Sequence, residues 1–73
     1  MADVKKLTTL EYAEFLERVH LYRKDFPQLR LGQAMYNILN SYHPNLAVSV
    51  RGTELDPFYR DDRVEDFLEY IKE

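Results

Sequence analysis

Residues 29–42, LRLGQAMYNILNSY, decide how this chain is read. Leu31, Ala34, Met35, Ile38, Leu39 and Tyr42 fall at i, i+3, i+4, i+7, i+8 and i+11. That spacing lays a continuous apolar stripe on an α-helix from about Leu31 to Ser41, stopped by Pro44. Amphipathic segments lie on both sides, so this stretch is expected to be the central helix. Gly32 sits in its first turn, where the missing side chain lets another segment approach closely. The fold class that follows is mostly α: one compact domain of three to four helices.

Working upstream, Thr8 and Glu11 have the spacing of a capping box, each side chain satisfying the other's backbone N–H. Leu7 is placed to staple against Tyr12. Tyr12, Phe15, Leu16, Val19, Tyr22 and Phe26 then follow helical spacing, with Glu11, Glu14, Glu17, Arg18, Arg23 and Lys24 largely on the outer face. Acids early and bases late suit the helix dipole. Pro27 ends the run and pushes Phe26 out of α geometry, which predicts a helix from Thr9 to about Lys24. Residues 1–7 are short, charged and aperiodic. They read as a flexible N-terminal tail ahead of a helical domain over residues 8–73.

Downstream, residues 43–50 read two ways. Leu46, Val48 and Val50 alternate as in a strand, whereas Leu46, Ala47 and Val50 share one face of a short helix. Pro44 suits a first helical position and Gly52 the residue past a helix end. No second strand is evident to satisfy the backbone, so the short helix is favoured. The stretch RGTELDPFYRD, residues 51–61, is a long loop for so small a domain, and Leu55, Phe58 and Tyr59 are its expected pins. Asp56-Pro57 initiates a turn. Asp56 is expected to accept backbone N–H groups while Arg51 anchors it. A last helix opens at Asp61 or Asp62, with Glu65 completing a variant capping box, and turns Val64, Phe67, Leu68 and Ile71 inward.

Composition narrows the function. A chain of 73 residues is one domain, and a domain this small buries only about 60% of the surface its unfolded form exposes. Six Tyr and four Phe supply bulk for the core. The absence of cysteine removes disulfides, thiolate metal sites and cysteine nucleophiles, and fits a reducing compartment. A net charge of −3 disfavours a general nucleic-acid surface. No apolar run approaches the roughly 20 residues that cross a bilayer. MADVKK lacks the apolar centre of a signal peptide, so a cytoplasmic location is expected.

Catalytic and metal constellations are weak. His20 and His43 stand on different elements, with neither HExxH nor a calcium-loop pattern beside them. Asp61 and Asp62, between Arg60 and Arg63, read as helix-start chemistry, since no nucleophile or positioned base accompanies them. Arg30 and Gln33 bracket a helix start where an anion can bind, but a structural ion pair for Arg30 is the stronger reading. Gln33, Asn37 and Asn40 line one side of the central helix, which keeps a small DNA-binding regulator as the alternative; no basic residue interleaves them. The expectation is no enzyme activity, no cofactor and no metal site. The candidate partner-binding residues are Val4, Lys5 and Lys6 in the tail and Tyr22, Arg23 and Lys24 late in the first helix, Tyr and Arg being the types that most often dominate protein interfaces.

From Leu29 onward the chain resembles a group of small phage and prophage proteins. Arg30-x-Gly32-Gln33 opens a helix and Asn37 follows four residues after the Gln. Then come Gly52-Thr53, Asp56-Pro57-Phe58-Tyr59 and a last amphipathic helix. Within that group, its length and character are similar to the Xanthomonas-phage type of inhibitor and antiterminator of host bacterial RNA polymerase. The resemblance implies a non-enzymatic protein of the infected cell. Its partner would be host RNA polymerase, chiefly the N-terminal part of the β′ subunit, with initiation inhibited and terminators read through. It assigns no polymerase contact to the motif residues.

Overall fold

Thr8 and Glu11 start the first helix as their spacing implies. In a computed structural model, which describes residues 4–73, the Thr8 hydroxyl accepts from the Glu11 N–H at 3.2 Å. The Glu11 carboxylate in turn accepts from the Thr8 N–H at 2.9 Å. Helix α1 then runs over Thr9–Asp25. Phe26 caps it with φ −129° and ψ 68°, so the approach to Pro27 leaves helical geometry as expected. Helix α2 covers Leu31–Tyr42 and α3 covers Pro44–Val50. A 3₁₀ turn at Asp61–Arg63 leads into α4, Val64–Ile71.

Within residues 43–50, Pro44–Val50 is helix and His43 its N-cap. Pro44 occupies the first turn, Leu46, Ala47 and Val50 are buried, and Gly52 past the end takes φ +73°. Its alternating valine, Val48, faces outward. Among the described residues there is no strand, so a lone extended segment here would leave its backbone unpaired.

Helix α2 is central. It packs against α1, α3 and the 3₁₀ turn. The α1–α2 pair is antiparallel: Asn37 Nδ2 donates to Tyr22 Oη at 3.3 Å, and the Arg18 guanidinium lies 4.1 Å from the Tyr42 ring centroid. Phe15 and Phe67, with ring centroids 6.4 Å apart, close α4 onto α1. Ala34 and Leu39 are fully buried, and Tyr36, outside the apolar stripe, is buried as well. Packing from several sides therefore covers more of α2 than the stripe alone indicates.

Three stripe residues are less buried than their spacing suggests. Phe26 lies past the end of α1 and stacks on Tyr22, ring centroids 5.2 Å apart. Tyr42 is the last residue of α2 and 53% exposed, and Leu16 sits on the edge of the α1 stripe.

The expected free tail over residues 1–7 is not observed for its described part, residues 4–7. Leu7 is 1% exposed. It forms an isolated parallel bridge to Lys72, donating to the Ile71 carbonyl at 2.7 Å and accepting from the Glu73 N–H at 2.9 Å. Val4 also packs against the core. A small domain gains a large fraction of its core from one more leucine, which outweighs the entropy of ordering a few residues. The domain therefore includes residues 4–7; residues 1–3 lie outside the described residues.

The start of α4 differs from its expected capping. Neither Asp61 nor Asp62 caps α4, whose N-cap position is Arg63 with no side-chain bond. Asp61 caps α2 instead, its Oδ1 accepting the Gly32 N–H at 3.0 Å. Arg30, at the N-cap of α2, carries donors only and cannot satisfy that orphan N–H, so an acceptor arrives from elsewhere in the chain.

Candidate functional site

Gly32, Gly52, Thr53, Asp56, Pro57 and Phe58 form one structural clasp. A Cβ at Gly32 would stand 2.1 Å from the Pro57 carbonyl oxygen, so only glycine admits the loop there. Pro57 is fully buried against this point. Asp56 locks the loop: its Oδ2 accepts from the Gly52 N–H at 2.9 Å and its Oδ1 from the Phe58 N–H at 3.0 Å. The Thr53 hydroxyl donates to the Val50 carbonyl at 2.6 Å and accepts from the Leu55 N–H at 3.1 Å. The expected Asp56 clamp is present without Arg51, which makes no side-chain bond to it. Arg30 also lacks the expected carboxylate and reaches the Phe58 carbonyl at 3.5 Å. Leu55 and Phe58 pack on the core as pins, but Tyr59 is 76% exposed.

The candidate partner-binding residues separate into two groups. Lys5, Lys6 and Val4 border a groove of about 490 Å³ between the N-terminal segment, the first turn of α1 and the α2–α3 corner. Glu11, Tyr42, His43, Pro44 and Asn45 form much of the remaining wall. Lys5 is exposed. Lys6 is half-buried, its Nζ donating to the Tyr70 carbonyl at 2.6 Å and lying 3.5 Å from the Tyr70 ring centroid. Lys6 is thus a staple between the N-terminal segment and α4 as well as a charge.

Tyr22, Arg23 and Lys24 lie in the last turn of α1, roughly 18 Å along the helix axis from Glu11 in the groove wall. Tyr22 is half-buried and engaged with Asn37 and Phe26, while Lys24 is exposed. Arg23 is half-buried, its Nε enclosed without a hydrogen-bond partner in the described structure. The structure does not bring this trio together with the lysines.

The groove also gathers groups that sequence spacing could not assign to it. Arg18 stacks on Tyr42 at the rim, a pairing that needs the antiparallel register of α1 and α2. Glu11 lines the wall, but its carboxyl is occupied by the cap. The Thr8 backbone N–H holds it below the ordinary glutamate range; the Thr8 hydroxyl and the charges of Lys5 and His43 add smaller contributions against burial. Among the described residues the groove is therefore bordered by two lysines and a histidine, with a single acid that is already engaged.

Among the described residues, no group of three or more His, Asp or Glu is arranged to hold a metal ion. No described helix is long and apolar enough to cross a membrane. The Arg60–Asp62 pair is an exposed local ion pair at 2.7 Å, the guanidinium holding the Asp62 carboxyl below its ordinary range. Comparison of the chain with protein-family models, curated proteins and solved structures returns no match.

Proposed function

We propose that this protein acts without chemistry of its own, as a small phage-encoded regulator that binds host bacterial RNA polymerase. On this reading it inhibits initiation and promotes antitermination in the cytoplasm of the infected cell, with the N-terminal part of β′ as its main contact. The choice of partner rests on the resemblance of residues 29–73 to small phage proteins. The surface is argued from the structure. One observation carries it: the groove of about 490 Å³ beside Lys5 is basic-rimmed on an acidic protein, and built on an N-terminal segment that Leu7 fixes in place.

A fixed segment loses little entropy on binding, which favours affinity over what a free tail would give. A domain of this size can offer the ~1,200–2,000 Å² of total buried surface that a stable complex uses only by engaging much of one face. The groove is thus the centre of a broader contact, with exposed Tyr42 at its edge. Blocking one conformation of a large machine needs only differential affinity for its states.

The alternative, DNA reading by α2, gains no support from packing. Gly32, Ala34, Met35, Tyr36, Ile38 and Leu39 are buried, Gln33 is half-buried and Asn37 is bonded to Tyr22. Of its three polar candidates, only Asn40 is exposed.

The test is capture of polymerase by the immobilised protein from nuclease-treated Xanthomonas lysate, followed by transcription assays with purified holoenzyme. Recovery of β′ with loss of promoter-dependent transcripts is expected. Retention of nucleic acid alone, falling steeply with salt, would favour the DNA-binding alternative.

A further inference from the structure

Opposite the start of α3, the loop that follows its end presents an aromatic and a cation for which the fold has no use. Tyr59 is the most exposed large apolar side chain among the described residues. It is not a floppy loop tip. Its ring packs edge-on against Phe58 with centroids 4.7 Å apart, and Phe58 packs edge-on against Tyr36 at 5.9 Å. Tyr36 is buried in α2, so three rings step from the core to the surface. The backbone beneath is locked by Asp56, and the Arg60 N–H bonds the Pro57 carbonyl at 3.1 Å.

Beside Tyr59 lies a cavity of about 350 Å³ bordered by Tyr36, Arg51, Gly52, Asp56 and Phe58. Arg51 is exposed, and no hydrogen bond or ion pair holds its guanidinium in the described structure. Asp56, the acid in this wall, has both oxygens committed to the backbone N–H groups of Gly52 and Phe58. Gly52 leaves open space at the rim, with nothing within 4 Å of where a Cβ would stand.

We infer that this cavity is a second protein-docking site, for a short acidic–apolar peptide segment of a partner. An apolar side chain of the partner packs on Tyr59 and Phe58 while an adjacent carboxylate takes the planar fork of Arg51. Rigid tyrosine supplies contact area at low entropic cost, and arginine recognises a carboxylate bidentately. The cavity volume suits one or two side chains, not a folded surface. This site is at the opposite end of α3 from the Lys5 groove and does not depend on the identity of the partner proposed above.

The test is an NMR titration of the full-length ¹⁵N-labelled chain with four probes. These are an end-blocked hexapeptide alternating aspartate with leucine, its asparagine–leucine counterpart, a proline hexamer and inorganic phosphate. The acidic peptide should shift the amides of Arg51, Gly52 and Tyr59 saturably, and the asparagine counterpart should bind about tenfold more weakly. Arg51→Ala and Tyr59→Ala should each weaken the acidic peptide about tenfold with an unchanged melting temperature. Arg51→Lys should fall between, since charge is kept and the fork lost. Lys5→Glu should bind like the native chain. The inference is overturned by absence of saturable shifts over residues 51–59, by equal binding of the asparagine peptide, or by preferential binding of the proline hexamer or phosphate. Loss of the acidic peptide in Lys5→Glu alone would also overturn it, placing such binding in the N-terminal groove.

Discussion

Residues 4–7 and 51–60 both lack regular helical structure, yet they are held in opposite ways. The 51–60 loop is fixed from within by Asp56 and Thr53, and from without by the seat Gly32 leaves for Pro57. The N-terminal segment is fixed almost entirely by what it touches: Leu7 in the core and against the 71–73 backbone, Lys6 on Tyr70. The loop is a clasp that its own residues define. The N-terminal segment is an annex whose order depends on the finished domain. That difference predicts where damage spreads. Breaking the clasp disturbs α2, whereas altering the exposed side of the annex changes the surface and leaves the fold intact.

The largest effects should come from the leucines that join each region to the core. Leu39→Ala, at the centre of α2, should cost about 2–5 kcal/mol in urea unfolding. Leu7→Ala should fall in the same range, with earlier hydrogen exchange at the amides of residue 7 and Glu73, because the N-terminal segment then loses its anchor. If Leu7→Ala leaves the melting temperature unchanged, the N-terminal segment is free in solution and the comparison fails.

Gly32→Ala should come next, costing about 1–3 kcal/mol or more as the Pro57 backbone is forced away. Its amide shifts should change across residues 52–61 while α1 is largely unaffected. Asp61→Ala removes only the acceptor at the start of α2 and should cost about 0.5–2 kcal/mol. A larger loss in Asp61→Ala than in Gly32→Ala would show that capping, not close approach, dominates the clasp.

Acid provides the mildest perturbation. The Glu11 and Asp62 carboxyls are held below their ordinary ranges by the Thr8 N–H and by Arg60 respectively. Folding therefore gains from their ionised forms above the unfolded values, and that gain disappears as pH falls through the lower folded values. Melting temperatures should drop on the acid side, and Glu11→Gln should flatten the part of that drop due to the cap.

Much of the fold was legible in local sequence, since its signals are local physics. The capping box at Thr8–Glu11, the stop at Pro27, the α2 stripe and the Pro44-to-Gly52 framing of α3 each act within a few residues. The Asp56 clamp is of the same kind. What spacing could not show depends on distant partners: Leu7 beside Lys72, Asp61 capping another helix, Arg18 on Tyr42. Tyr59 illustrates the limit well. Its apolar ring in a packed loop reads as a pin, and only the seat taken by Pro57 and Phe58 leaves it outside. The candidate site was legible in part. Lys5 is exposed at the groove, Lys6 is half structural, and the Tyr22–Arg23–Lys24 trio belongs to another part of the surface.

These placements separate the clasp, which shapes the domain, from the N-terminal groove, which we propose to be its working surface. Lys5→Glu addresses that claim without disturbing Lys6. The decisive measurement is the affinity of the labelled protein for purified Xanthomonas RNA polymerase, paired with a thermal melt of the same variant. The account predicts an unchanged melting temperature with binding weakened about tenfold. Undiminished binding by Lys5→Glu, or no binding by the native chain, would contradict it.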